Sequence, residues 1–225
     1  MNFSTPVELP KGLPPITHAQ QLLLMGSCFA ENIGRQLKEN SFHCDVNPFG
    51  ILYNPFSVLE ALQEILSGKQ YTASDLFFFR DCWHSPMHHG AFSAVSVEEA
   101  LQQINDRLRQ AHDRMSRTDW LLLTWGTTFV YQQRETGRIV SNCHKQPEKL
   151  FTRRMLTVDE IVDEYTRFLK ELRNQNSTLK VLFTVSPIRH IRDGMHANQL
   201  SKATLLLAIE QLQSIFPPTL CLLPF

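Results

Sequence analysis

The stretch that most limits what this chain can fold into is LLLMGSCFAENIG, residues 22–34. Its first four residues are apolar without alternation, which is typical of a short strand buried on both faces of a parallel sheet. Gly26 ends this strand, and apolar residues then recur at the spacing of a helix: Phe29, Ala30, Ile33 and Leu37. Ser27 therefore lies at the first turn of a helix, where a hydroxyl serves either as an N-cap or as a nucleophile beside N–H groups that favour an oxyanion.

Composition excludes several classes of partner. The chain has 225 residues, enough for one large α/β domain, and its 22 basic and 22 acidic residues balance without a basic run. We therefore expect no nucleic-acid partner and no binding to an anionic membrane surface. No apolar run is long enough to span a bilayer and no leader is visible, so a cytoplasmic protein is expected. The five scattered cysteines, without a Cys-x-x-Cys pair, favour reduced thiols.

Strand and helix patterns alternate along the chain. Buried strands are predicted at 22–25, 120–125, 180–185 and, as a short one, 219–223. Helices are predicted to follow Ser27 and at 56–67, 97–116, 157–173 and 199–213. Residues 40–54 read as a turn-rich crossing, residues around 137 as a hairpin, and residues 71–96 as an inserted β excursion. The prediction is a three-layer α/β/α fold with a mainly parallel sheet, comprising an extended arm at 1–20 and a single domain at 21–225.

Polar residues follow the predicted strands where those strands end. Ser27 follows the first strand, Thr127-Thr128 the second, and the segment from Ser186 to His190 the third. Ligands bind outside the carboxyl ends of the strands in open α/β sheets, so these residues are expected to meet at one site.

The letters of the first segment add a resemblance. Gly26-Ser27-Cys28-Phe29-Ala30 spells the motif that names the GSCFA family, and the chain resembles this family of SGNH (GDSL-type) hydrolases from about Leu22 to about Leu207. Further segments that look like family segments are NPFGILYNP at 47–55, GTTFVY at 126–131, NCHK at 142–145, and Trp83 with His88-His89 through Phe92-Ser93.

The resemblance implies a serine esterase that hydrolyses a small-molecule acyl or acetyl ester without a cofactor. It makes Ser27 the nucleophile and Gly50 a backbone N–H donor to the oxyanion. SGNH enzymes add an asparagine that is absent here, so the Thr127 region or Asn142 is left for that donor role. The other residues that the matched segments assign to substrate binding are Asn54, Asn142, His144, Ser186, His190 and His89.

A serine nucleophile needs a base, and SGNH enzymes keep theirs in a C-terminal Asp-x-x-His block. The one such pattern here is Asp193-Gly194-Met195-His196, which makes Asp193 and His196 the candidate base pair. In the resembled order this block comes later, after a further helix and strand. We therefore expect the chain to be C-terminally incomplete and this match to be a coincidence. The alternative function is a non-catalytic small-molecule or glycan binding module that keeps the pocket without a complete triad.

A metal site is the nearest competing chemistry. Cys82, His84, His88 and His89 are acceptable zinc ligands within a short turn. Their spacing is poor, and Pro86 disfavours a helix that would align them. We predict no metal, with His88 and His89 either near the rim of the pocket or hydrogen-bonded within their hairpin. A zinc-dependent enzyme is the weakest of the three readings. Cys28 is expected to be a small buried residue rather than a thiol activated by the helix dipole.

Overall fold

The computed structural model describes residues 14–188, 193–217 and 220–222. The strands are β1 (Gln21–Gly26), β2 (His43–Val46), β3 (Phe77–Phe79), β4 (Cys82–His84), β5 (Trp120–Trp125), β6 (Phe129–Gln133), β7 (Ile139–Val140), β8 (Phe151–Met155), β9 (Lys180–Val185) and β10 (Leu220–Leu222). The helices are α1 (Cys28–Glu39), α2 (Pro55–Ser67), α3 (Val97–Met115), α4 (Val158–Gln175) and α5 (Met195–Ile215).

A five-stranded parallel sheet, in the order β2-β1-β5-β9-β10, forms the centre of the fold. The chain leaves β1 toward β2 on one side, and all later strands of this sheet lie on the other side. The strand order therefore reverses between β1 and β5. In open α/β sheets this switch point is where a crevice forms at the carboxyl ends of the strands.

Helices cover both faces of the sheet and produce three layers. Leu22 and Leu24 of β1 pack with Ala30 of α1 on one face. Leu23 and Met25 point to the other face, where they join the larger core built with α2, α3, α4 and α5. Because successive strand residues alternate in direction, a strand covered on both faces must be apolar at every position. This explains the unbroken apolar run of β1 and confirms the predicted α/β/α fold.

The predicted buried strands and helices are all present, with small shifts in their bounds. The excursion at 71–96 is also confirmed, since β3 and β4 form an antiparallel hairpin and Trp83 bridges to Ala94. The prediction for 40–54 was wrong in one part, because His43–Val46 forms the edge strand β2. A second small sheet, β7-β6-β8, extends the predicted hairpin by a strand that was not expected.

The ends of the domain are described in part. Residues 1–13 of the predicted arm lie outside the described residues, whereas Ile16 packs beside α1 and the ring of His18 stacks on that of Phe42 at 4.1 Å. Within the described ranges, no helix is long and apolar enough to cross a membrane. The described cysteines are free thiols: Cys28, Cys44, Cys82 and Cys143.

Candidate functional site

Ser27 lies at the carboxyl end of the central strand β1, directly beside the switch point. Gly26 leaves the strand with φ +135°, and Ser27 N–H then donates to the carbonyl oxygen of Thr124 on β5 at 3.1 Å. Ser27 Oγ accepts the N–H of Phe29 at 3.3 Å and so caps α1. The N-cap reading of Ser27 is thus seen in the structure. It is compatible with a nucleophile, because the bond uses a lone pair of the oxygen and not its proton.

The loop that carries Gly50 is fixed to the end of β1 by Asn47. Asn47 Oδ1 accepts the N–H of Gly26 at 2.9 Å, and Asn47 Nδ2 donates to Glu31 on α1 at 3.0 Å. Leu52 N–H donates to the carbonyl oxygen of Gly26 at 3.0 Å. The predicted neighbours Ser27 and Gly50 therefore belong to segments that are bonded to the same residue, Gly26.

The backbone N–H groups predicted as oxyanion donors are all engaged within the protein. Gly50 N–H donates to the carbonyl oxygen of Asn47 at 2.8 Å, and Thr127 N–H to that of Tyr53 at 3.1 Å. Ser27 N–H is held by Thr124, as described above. Each of these groups has to exchange its acceptor before it can bind an oxyanion. The N–H of Cys28, in the first turn of α1, has no acceptor within the helix and is the better-placed donor.

A third element, α5, contributes polar side chains that the sequence analysis did not identify. Ser201 Oγ accepts the backbone N–H of Thr128 at 2.8 Å and its hydroxyl at 3.0 Å. Lys202 Nζ donates to the carbonyl oxygen of Gly126 at 2.5 Å. Burial lowers the pKa of Lys202 to about 8. The available signal was Asn198, Ser201 and Lys202, polar residues three and four apart and therefore on one side of the helix.

The structure does not bring the predicted base pair together. The Asp193 carboxylate pairs with Arg153 of β8 at 2.5 Å, and its side chain is largely buried there. His196 lies exposed in the first turn of α5. The two residues of the Asp-x-x-His pattern therefore have separate surroundings. Asp193 forms an ion pair with a strand that is distant in sequence, and His196 belongs to the start of a helix.

The histidine turn between β4 and α3 forms a hydrogen-bonded cluster. His88 is 2 % exposed, its Nδ1 bonds Ser85 Oγ at 2.8 Å, and its ring stacks on Phe49 at 4.3 Å. His89 N–H donates to the carbonyl oxygen of Phe49 at 2.8 Å. This turn thus packs against the Gly50 loop through the His88 ring and is hydrogen-bonded to it through the His89 N–H. Over the described ranges, no three potential metal ligands come together.

The remaining predicted substrate-binding residues make local contacts. Asn54 caps α2 through the N–H of Ser57, Asn142 Oδ1 accepts the N–H of His144, and His144 Nε2 bonds the carbonyl oxygen of Ser85 at 2.8 Å. Ser186 follows β9 and donates its N–H to Trp125. His190 lies outside the described residues.

One cavity with a volume of about 330 Å³ lies at the amino ends of β1 and β2, beside Gln21, His43 and Lys38. These are the ends of the strands opposite to Ser27. Its acidic residue, Asp45, is paired with Arg107 of α3. The cavity is remote from Ser27, and the polar residues after the strand ends remain the candidate site.

Acid is expected to destabilise the protein through His88. Burial lowers the pKa of His88 from its ordinary 6.5 to about 3, so between these values the unfolded chain binds a proton that the folded chain excludes. The contribution of neutral His88 to the free energy of unfolding is therefore fully present above pH 6.5. It falls as the pH drops, by about 2 kcal/mol from pH 7 to pH 5. Urea unfolding at the two pH values measures this loss.

His88→Gln is the matched control, because glutamine keeps a hydrogen-bonding group for Ser85 and does not titrate. The variant is expected to show about 2 kcal/mol less pH dependence. The same pH dependence in both proteins would contradict a neutral buried His88. Burial also lowers the pKa of His144, so a smaller loss of the same sign is expected to remain in the variant.

Comparison with known proteins identifies one related family. The model of the GSCFA family matches residues 21–220. Neither the curated proteins nor the solved structures include a match.

Proposed function

The chain belongs to the GSCFA family, and from this membership we propose that it is a serine hydrolase that cleaves a small acyl or acetyl ester through Ser27. The observation that carries the proposal is the position of Ser27. It follows the central strand at the switch point of a parallel sheet and begins a helix. In that position the developing oxyanion faces the positive end of the α1 dipole and the N–H of Cys28.

The proposed reaction is acyl transfer to water. Ser27 Oγ attacks the ester carbonyl, the alcohol leaves, and water then releases the acid from the acyl-serine. Ser27 is 1 % exposed, so the surrounding loops have to open before a substrate can reach the hydroxyl.

A binding module is the second candidate, and a specific observation favours it. Asp193 is bonded to Arg153, and His196 has no hydrogen bond to a carboxylate among the described residues. A pocket without a working base binds a ligand and does not turn it over.

Labelling with a fluorophosphonate and hydrolysis of 4-nitrophenyl acetate together test the proposal. We expect Ser27→Ala to abolish labelling and to lower the rate of 4-nitrophenyl acetate hydrolysis by about 10³-fold or more, because no other group replaces the nucleophile. Ser96→Ala is the matched control, since Ser96 is also a helix N-cap and accepts the N–H of Glu99 in α3. It is expected to lose about 1 kcal/mol of stability and no activity.

The outcomes separate the two candidates. Labelling of wild type and of Ser96→Ala, but not of Ser27→Ala, supports the hydrolase. If wild-type protein is neither labelled nor faster than Ser27→Ala, the hydrolase proposal is wrong and the binding module is favoured.

A further inference from the structure

We propose that one exposed face of α5 pairs with a second copy of this chain, with the two helices antiparallel about Ala203. This face, which we call the Ala203 face, consists of Ala203 and the residues three, four and seven positions to either side of it: His196, Gln199, Leu200, Leu206, Leu207 and Glu210. Residues at these spacings lie on one side of a helix. The inference is independent of the reaction proposed for Ser27.

The Ala203 face differs from the outer faces of the neighbouring long helices. All of its residues are exposed, and the side chains of Leu200, Leu206 and Leu207 are among the exposed large apolar groups of the described chain. In contrast, every exposed residue of α3 and of α4 is polar or charged, as is usual for a surface helix. Contiguous apolar surface of this kind is a feature of protein interaction sites.

The opposite side of α5 holds the helix in place within the domain. The residues on that side are completely buried in the larger core: Leu205, Ala208, Ile209 and Leu212. Ser201 Oγ also accepts the backbone N–H of Thr128 at 2.8 Å. A fixed helix therefore presents the Ala203 face in advance of binding, which lowers the entropic cost of association.

The Ala203 face is complementary to itself when two copies run antiparallel. With the twofold axis at Ala203, each residue meets the residue that lies equally far on the other side of position 203 in the second copy. Leu200 then packs against Leu206 of the second copy. The small side chain of Ala203 allows the two helices to approach closely at the axis.

Charge complementarity favours the antiparallel orientation over the parallel one. Neither His196 nor Glu210 takes part in an ion pair within the described part of the chain. In the antiparallel pair, an imidazole meets a carboxylate at each end of the face. In a parallel pair the two Glu210 carboxylates would meet each other, and like charges across an interface are unfavourable.

The size of the Ala203 face sets the expected strength of pairing. From His196 to Glu210 it is about 21 Å long, at 1.5 Å per residue, and a helix is about 10 Å wide. This covers less than the roughly 800 Å² per partner of a standard interface. We therefore expect a dimer that dissociates in the micromolar range.

Sedimentation equilibrium at protein concentrations from about 5 to 500 µM tests the proposal. Leu206→Glu places a carboxylate against Leu200 of the second copy and is expected to weaken dimerisation at least about 30-fold. Leu150→Glu is the matched control, because Leu150 lies outside α5 and is 43 % exposed, compared with 44 % for Leu206. The control is expected to dimerise like wild type.

Two charge variants test the antiparallel register. Alone, His196→Glu brings two carboxylates together at each end, and Glu210→Arg brings a guanidinium beside an imidazole. Each variant is expected to dimerise about fivefold more weakly than wild type. In an equimolar mixture, the new carboxylate of one variant meets the new guanidinium of the other, so the mixed dimer is expected to regain the wild-type affinity.

Cysteine cross-linking locates the twofold axis. Helices packed 8–10 Å apart bring facing Cα atoms to within about 5.5 Å, which a disulfide can span. We expect copper phenanthroline to oxidise Ala203→Cys to a linked dimer. Gln199→Cys is the control on the same face, since its two copies would lie about 12 Å apart along the helix axis and stay unlinked. Wild type gives the background from the native cysteines.

Each outcome decides for or against the pairing. Wild type that stays monomeric over the whole concentration range overturns it, and another segment or another protein then covers the face. A dimer that survives Leu206→Glu unchanged overturns it as well, because the interface then lies elsewhere. Failure to link Ala203→Cys, or no gain in affinity on mixing, contradicts the antiparallel register. If circular dichroism shows that Leu206→Glu does not fold, the mixing and cross-linking results decide.

Discussion

Gly26→Ala is expected to lower the free energy of unfolding by at least about 4 kcal/mol. A Cβ at this position would lie 2.1 Å from the carbonyl oxygen of Thr124, which is backbone and cannot rotate away. The φ of +135° is also a conformation that alanine rarely adopts. To accommodate the methyl group, β1 has to move away from β5, and the Ser27 N–H then loses its acceptor. Urea unfolding measures the loss of stability.

Gly90→Ala is the matched control for this substitution. A Cβ on Gly90 meets nothing within 4 Å and the backbone is not in the left-handed region, so we expect a change within about 0.5 kcal/mol. If Gly26→Ala costs less than about 1 kcal/mol, the close approach of the two strands is wrong. The start of α1 and the place of Ser27 would then need revision.

Asn47→Ala is expected to cost about 3 kcal/mol and to slow any Ser27-dependent reaction. The substitution leaves the buried Gly26 N–H without an acceptor and removes the bond to Glu31. Asn47 also has φ +43°, which asparagine tolerates better than alanine. The Gly50 loop then loses its side-chain attachment to the end of β1 and keeps only backbone hydrogen bonds to it. Chemical unfolding gives the stability change, and the fluorophosphonate labelling rate gives the effect on the site.

A paired substitution tests the Asn47 contacts directly. Asn47→Asp alone keeps an acceptor for Gly26 but places a second carboxylate beside Glu31. Adding Glu31→Gln supplies a donor to that carboxylate and is expected to restore most of the stability. If Asn47→Ala is as stable as the paired variant, Asn47 does not connect these segments.

The central strands could be predicted because their burial leaves a local record in the sequence. β5 and β9 each have neighbours on both edges, and their buried positions are apolar without alternation except for Thr124 and Thr184, whose hydroxyls bond each other. β2 is an edge strand of four residues with a charged residue inside. That residue, Asp45, is stabilised by Arg107, 62 positions away, which no local pattern can reveal. The strand was missed because the ion pair that stabilises its charged residue is formed with a residue far away in the sequence.

Of the candidate site, only the part around Ser27 could be predicted from the sequence. Ser27 could be placed because a strand, a glycine and a helix follow one another in adjacent residues. The partners of Asp193 and Lys202 lie 40 and 76 positions away. Sequence spacing offered only the local Asp193/His196 pattern, which was expected to be a coincidence, and it could not show that the fold bonds Asp193 to β8 and brings Lys202 to the loop after β5.

The parallel pairing of β1 with β5 also determines when the site can form during folding. A backbone N–H at the start of β1 is bonded to Asp119, 98 positions later in the chain, so α1, α2 and α3 and the β3-β4 hairpin all lie within the loop that this pairing closes. Closing so long a loop is entropically costly and slow. During synthesis, Ser27 emerges early but waits for Thr124 before its backbone is fixed. We therefore expect Ser27 to acquire its native geometry late, after the local helices have formed.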